Sequence, residues 1–266
     1  MLLTAMVILE GMLVALRVNN GLLITRKNMS HNIDCIKKIL LESIDSTKGS
    51  TAIFFKTYAG GYAEHDQFIG VRVSILRKIA KKFLSLTCDE LSILLESPIN
   101  EERLLALIIL SHKYKISSAE LKEELFKFYT KNLKNINNWN LVDTSAHLIV
   151  GAYLWNRDKS YLVKLATSKS LWERRIAIVS TLYFIRKDDL EWTFKIASIL
   201  QNDSHDLIHK AVGWMLREAG KKDILQLTNF LENYKNTMPR TMLRYAIEKF
   251  PKEQRKLYLT RVPIIK

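Results

Sequence analysis

Arg103-Leu104-Leu105-Ala106-Leu107, Trp139-Asn140-Leu141-Val142-Asp143, Arg175-Ile176-Ala177-Ile178-Val179, Lys210-Ala211-Val212-Gly213-Trp214 and Arg244-Tyr245-Ala246-Ile247-Glu248 are variants of one segment. Each opens on a cation or an aromatic and continues with apolar residues, and each falls in the second of two helix-like stretches joined by a short polar connection. Their starts are separated by 36, 36, 35 and 34 residues. A period of that length carried by helix pairs marks an α-solenoid, in which each pair buries against its neighbours the apolar face it cannot bury alone. The fold class is therefore all-α, a solenoid forming a single domain.

Helix-end chemistry agrees with this register. Asn100 precedes Glu101 and Glu102, Ser170 and Glu173 have the spacing of a capping box, Pro239 sits near a first turn, and Gly220 stands where a helix should stop. Upstream, Ile33, Ile36, Ile39, Leu40 and Ile44 recur at helical spacing, and a polar link follows at 46–51. An irregular approach through Phe55 and Gly60-Gly61 then leads to the run 68–73 and a further amphipathic helix marked by Ile75, Leu76, Ile79, Ala80, Phe83 and Leu84. No phosphate-loop pattern surrounds Gly60-Gly61, which excludes a nucleotide-binding glycine loop.

Composition narrows the partner. With 41 Lys and Arg against 27 Asp and Glu, the 266 residues carry +14, more than solubility requires, which points to a polyanion. Nucleic acid, a membrane surface and a solvated basic shell would all give that sum, so the position of the cations has to decide. Only 9 Gly and 4 Pro fit a mostly helical chain. Cys35 and Cys88 have no metal-type spacing and suit a reducing cytosol, and the six His form no ligand cluster, so no metal is expected. The apolar stretch 1–18 is broken by Glu10 and Gly11, lacks a basic start and a cleavage site, and is too short in its uninterrupted runs to span a bilayer. We therefore expect an N-terminal extension or start-site artefact at 1–28, a repeat domain at 29–260 and a tail at 261–266.

In a solenoid, equivalent positions line up in rows, so a row of one chemical type describes a surface. The first row reads Arg103, Trp139, Arg175, Lys210, Arg244, four cations of five, spaced to meet something long and anionic. One turn later the row reads Leu107, Asp143, Val179, Trp214, Glu248. Taken alone, Trp139 would pack inside and Asp143 would pair with a nearby Arg. The rows instead suggest that Trp139, Asp143 and Trp214 converge on a cleft rimmed by Arg175 and Lys210, with aromatic walls and a carboxylate suited to a cation attached to a polyanion. Asp143 is expected to stay ionised, because a helix N-terminus favours negative charge. Arg217 lies seven residues after Lys210 on about the same face and reads equally as a phosphate contact or a partner of Glu218. Arg174 is turned away from Arg175 and reads as structural, and Trp155, Trp172 and Trp192 read as core.

Asn138-Trp139-Asn140-Leu141-Val142-Asp143, Leu171-Trp172-Glu173-Arg174-Arg175-Ile176-Ala177 and Lys210 to Glu218, with Phe68-Ile69-Gly70-Val71-Arg72, also resemble a known family, the AlkD-type DNA alkylation repair glycosylases. The resemblance covers roughly 29–259. It implies a right-handed solenoid of HEAT-like repeats that hydrolyses the N-glycosidic bond of cationic N3- and N7-alkylated purines. It further implies Asp143 as catalytic residue, Trp139 and Trp214 as aromatic walls on the substrate, and Arg175 on the DNA backbone; the cationic row adds Lys210, Arg217, Arg244 and Arg103. The partner implied is double-stranded DNA with alkylated bases, met by a monomer without cofactor, membrane or obligate protein partner, in the cytoplasm and on the nucleoid. Cleavage would proceed from the backbone side without a base-flipping wedge, and the sequence marks no base pocket. Asn140 departs from relatives that carry Asp there. Two other readings stay open: a non-catalytic binder of damaged or branched DNA on the same basic face, and a solenoid scaffold for an acidic protein.

Overall fold

A computed structural model describes residues 31–45 and 54–260; the expected extension at 1–28, the link at 46–51 and the tail at 261–266 lie outside the described residues or largely so. The described chain is helical, with one isolated parallel bridge between Gln67 and Ile99. Helix α1 spans 31–42 and α2 spans Val73–Lys82. Five pairs follow: α3 (Cys88–Leu95) with α4 (Asn100–Ile116), α5 (Ala119–Lys131) with α6 (Trp139–Ala146), α7 (Ser160–Ala166) with α8 (Leu171–Ser180), α9 (Glu191–Leu200) with α10 (Asp206–Gly220), and α11 (Ile224–Tyr234) with α12 (Arg240–Ala246). Helix α13 (Lys252–Leu259) comes last. The second helices α4, α6, α8, α10 and α12 contact one another in chain order, and this stack is the spine of the solenoid. No described helix is long and apolar enough to cross a membrane.

Burial explains the spine. In α4 every residue from Asn100 to Ser111 is buried, because neighbours cover it on all sides, and Leu105, Leu107 and Ile109 are fully enclosed. Each such side chain contributes roughly 2 kcal/mol relative to exposure. The same enclosure forces the charged residues of its first turn to find partners. Glu101 accepts hydrogen bonds from the backbone N–H of Ile69 and Gly70, at 2.8 Å for the latter, which fastens the run 68–73 to α4.

Helix ends follow the sequence with two differences. Gly220 closes α10, Pro239 precedes α12, and Ser170 accepts from the backbone N–H of Glu173 at 3.4 Å, which is one half of a capping box. The complete box belongs to Thr87 and Glu90 at the start of α3. Asn100 begins α4 instead of capping it, because its side chain is drawn away to Asp66. Two glycines let the spine pack closely. A Cβ on Gly213 would lie 2.5 Å from both the Met242 carbonyl oxygen and the Tyr245 Cβ of α12, and one on Gly151 would lie 2.2 Å from the Ser180 carbonyl oxygen. Beyond Ala146 the helix bearing Asp143 widens into a π turn, His147–Gly151, before a last α turn at Ala152–Leu154.

Candidate active site

The start of α6 is fixed by a buried polar knot. Asn138 caps it, its side-chain oxygen accepting from the Trp139 N–H at 2.7 Å. The Asn138 amide donates in turn to Asp66 at 2.7 Å, and Asn100 donates to the same carboxylate oxygen at 2.8 Å. The other Asp66 oxygen pairs with Arg103. Asn140 completes the knot by donating to Asn100 at 2.6 Å. Arg103 is thereby taken out of the proposed phosphate row: it is only 4% exposed, pairs with Asp66 and donates to the Ser97 carbonyl at 2.8 Å. A guanidinium so enclosed cannot face a polyanion.

Asp143 and Arg175 form the centre of the site. The Arg175 Nε donates to one Asp143 oxygen at 2.9 Å and Nη2 to the other at 2.8 Å, while Nη1 reaches the Leu207 carbonyl at 2.5 Å. This fork-to-fork pairing fixes the plane of the carboxylate. Arg175 is 5% exposed, so the expectation of a backbone-contacting Arg at the rim is corrected: its donors are turned inward onto Asp143 and α10. The Asp143 side chain keeps 20% exposure. A carboxylate offers about four lone-pair positions, so two remain for water or substrate.

Helix starts correct the register as well. Counted from the first residue of α6, α8, α10 and α12, Asp143, Arg175, Lys210 and Arg244 all stand fifth, whereas Trp139 stands first. The alignment by sequence period had slipped α6 by one turn, which preserves the face and changes the level. Asp143 is therefore the one acid in a row of cations, and this is why Arg175 reaches it. Trp214 belongs a turn deeper. Leu207 touches Arg175, and Trp214 is seven residues further on, about 10 Å along the helix axis at 1.5 Å per residue.

The aromatic wall is also built differently from expectation. Phe55 stacks on Trp139 with ring centroids 5.1 Å apart and planes 9° from parallel, and on Phe68 at 4.3 Å, while Phe54 meets Trp139 edge-on at 5.5 Å. The Tyr62 hydroxyl lies against the Phe54 carbonyl at 3.5 Å. Burial pushes the Tyr62 hydroxyl above its ordinary range, against the opposing pull of the Trp139 side chain and of the Lys210 and Arg175 charges. Tyr62 also meets Trp172 edge-on at 6.0 Å. A half-open cavity of about 440 Å³ lies here, with Trp139 and Asp143 in its lining. Trp214 lines a second cavity of about 340 Å³ with Leu182, Ile185, Arg186, Glu218, Lys221 and Lys222, and the two share no lining residue. Trp139 and Asp143 meet in the first cavity with Arg175 clamped onto Asp143, and Trp214 lines the second.

The remaining cations divide. Lys210 has a 41% exposed side chain and an Asp206 partner at 2.7 Å one turn back, and Arg244 is exposed with no ion pair among the described residues. Arg217 is engaged by Glu218 at 3.5 Å and by Glu248, just beyond the end of α12. Arg174 pairs with Asp203 at 2.6 Å, a structural role. Trp155, Trp172 and Trp192 are partly buried against the core. The residues that sequence reasoning missed are Phe55, Tyr62 and Asp66, all in the irregular segment before α2, where no periodicity points to a partner.

Fold and site together define a helical-repeat protein in which a clamped carboxylate, Asp143, stands in a row of cations. The family model described as DNA alkylation repair enzyme matches residues 40–250, and the chain belongs to that family, whose work is the enzymatic repair of alkylated DNA. Among solved structures, a predicted DNA alkylation repair enzyme from Enterococcus faecalis superposes with a TM-score of 0.59 at 16% identity, over 76% of this chain and 95% of its own. AlkD2 from Streptococcus mutans superposes with a TM-score of 0.51, also at 16% identity, over 76% of this chain and 100% of its own. At that identity the likeness speaks for the fold. No curated protein matches the chain.

Proposed function

We propose that this chain is a monofunctional DNA glycosylase that hydrolyses the N-glycosidic bond of cationic N3- and N7-alkylated purines in duplex DNA. The observation that carries the proposal is the clamped Asp143 carboxylate, the one acid of its row, standing beside Trp139 in an otherwise cationic line. When the bond from C1′ to the purine breaks, its electron pair leaves with the base and cancels the base's charge. Positive charge then develops on the sugar. A fixed anion beside that sugar stabilises the charge where it appears, and a free Asp143 lone pair orients the water that adds to C1′ and gives its proton to solvent. A base already cationic needs no general acid to leave.

Arg175 acts in this scheme through Asp143. It holds the carboxylate plane and, being confined by Leu207, cannot follow the substrate. Lys210 and Arg244, both accessible, contact phosphates, and Trp214 with Arg186, Lys221 and Lys222 gives a second contact one turn, about 6 Å, deeper along α10. The test is single-turnover incubation with duplex DNA containing 7-methylguanine. Wild type should release the base, and Asp143→Asn should release it about 10²–10³-fold more slowly, the range for losing one preorganised electrostatic group. Salt-sensitive binding of the duplex without base release by wild type would sink the enzymatic proposal and leave a damage binder.

A further inference from the structure

The accessible cations lie on both sides of Asp143, and those on one side belong to no repeat row. Helices α4 and α8, the neighbours of α6, turn the cations of the row inward, because Arg103 and Arg175 are buried in ion pairs. Lys210 and Arg244 stand two and three helices beyond α6. Two helices before it, α2 packs against α4. The solvent face of α2 carries Arg77, Lys78, Lys81 and Lys82, all exposed, opposite the buried Leu76, Ile79 and Ala80. None of the four pairs with a carboxylate among the described residues, and α2 itself contains no acidic residue.

A merely solvated basic surface is built differently in this chain. Lys127, Lys235 and Lys256 each sit one turn from a carboxylate that holds them, Glu123, Glu232 and Glu253. On α2 the cations stand one turn from each other instead, Arg77 from Lys81 and Lys78 from Lys82. Each like-charge pair of this kind destabilises a helix by about 0.2–0.5 kcal/mol, a cost that a bound polyanion removes. The face is also placed: Val73 begins α2 and lines the cavity beside Asp143, and Arg77 and Lys81 follow it on the same face at about 6 and 12 Å along the axis. A protein partner calls for apolar or aromatic residues in the middle of its patch, and Ser74, Arg77, Lys78, Lys81 and Lys82 include none. An anionic membrane draws in an apolar face beside the cations, and that of α2 is packed against the core. A duplex backbone needs only spaced positive charge.

We propose that α2 is a second backbone anchor, gripping the duplex on the flank of the damaged nucleotide opposite to Lys210 and Arg244. The inference rests on the reading of Asp143 as the point where the lesion lies, and adds that the protein needs duplex on both sides of it. Two helix-to-helix steps of about 8–10 Å separate α2 from α6, so the anchor meets phosphates roughly 5–6 base pairs from the lesion at about 3.4 Å per pair.

Duplex affinity measured against salt tests the anchor without requiring catalysis. Replacing Arg77, Lys78, Lys81 and Lys82 together with Gln, a good helix former, keeps the buried face of α2 and should lower the logarithmic slope by about 0.9 per lost contact, about 2–4 in all. The same substitution at exposed Lys127, Lys131, Lys252 and Lys256 removes equal charge and should lower it by less than about one. Arg77→Gln with Lys81→Gln should lose about half as much as the full set, which keeps the test decisive if four changes disturb folding. Position is read with duplexes carrying one 7-methylguanine and cut to half the anchor's distance on one side or the other. Wild type should lose affinity for both, and the quadruple variant only for the duplex cut on the Lys210 side. A loss of slope no greater than the control's, or equal sensitivity of wild type and quadruple variant to both cuts, would overturn the anchor. Wild type that shows the slope and the two-sided requirement but releases no 7-methylguanine would leave the anchor standing and overturn the glycosylase reading instead.

Discussion

Replacing Arg175 with Met separates two roles that the position could have, a phosphate contact or a clamp on Asp143. The substitution keeps length and apolar bulk and removes three donors, two to Asp143 and one to the Leu207 carbonyl. Breaking a buried ion pair from one side costs about 3–5 kcal/mol, because the remaining charge is left uncompensated. Asp143 keeps one fifth of its exposure, so water recovers part of that loss and the lower end, about 3 kcal/mol, applies. For a domain of this size each kcal/mol moves the melting temperature by roughly 2–4 °C, giving an expected fall of about 6–12 °C by calorimetry. Adding Asp143→Asn should restore part of it, since a neutral amide tolerates the missing guanidinium better than a carboxylate does. Duplex affinity measured against salt gives the second reading. A phosphate contact contributes about 0.9 to the logarithmic slope. Arg244→Met should lose about that much with little change in melting temperature, and Arg175→Met should keep the slope. Arg175→Met with unchanged melting temperature and a slope smaller by about one would refute the clamp.

Asp66→Ala should cost about 3–5 kcal/mol in urea unfolding, since Arg103 is left buried without its partner. It should also loosen the segment bearing Phe55 and Tyr62, seen as a change in emission that vanishes in a Trp139→Phe background. Gly213→Ala should lower the urea midpoint by the equivalent of about 1–3 kcal/mol, because the new methyl group meets backbone on α12 instead of a yielding side chain. Burial, reinforced by the Arg186 charge, lowers the His147 imidazole to about 4. Between its unfolded value near 6.5 and about 4, the unfolded state binds the proton and the folded state does not. Stability should therefore fall as pH is lowered through that window, by up to about 1.4 kcal/mol per pH unit from this group, and His147→Gln should remove that dependence.

The helices and their pairing were legible because apolar spacing and capping residues are local signals, and the solenoid only repeats them. The row of cations was legible for the same reason, and so was the nearness of Trp139 to Asp143. The level of each residue along its helix was not. A period of 36 residues cannot reveal that α6 begins at Trp139 while α8 begins four residues before Arg175, since a slip of one turn keeps every apolar residue on its face. That slip alone separated Asp143 from the cations on paper and placed Trp214 beside it. The aromatic stack and the Asp66 knot depend on an irregular segment that meets α4 and α6 at sequence separations of 31 to 72, and no pattern within the segment announces its partners. Burial of Arg103 and Arg175 was hidden for a related reason. A guanidinium reads alike in sequence whether it faces solvent or a carboxylate on the next helix.

The π turn at His147–Gly151 gives the helix of Asp143 a setting of its own. Such a turn holds one residue more than an α turn, so everything before it is rotated by about 100° relative to everything after it. Downstream, Gly151 is locked against the Ser180 carbonyl; upstream, Asp143 is aimed at Arg175. The aim of the carboxylate is thus adjustable by insertion or deletion without touching the packing that holds the repeat. Loss of a single codon in this turn would leave an intact helix and swing Asp143 out of the cationic row, a change that no point substitution at the site could reproduce.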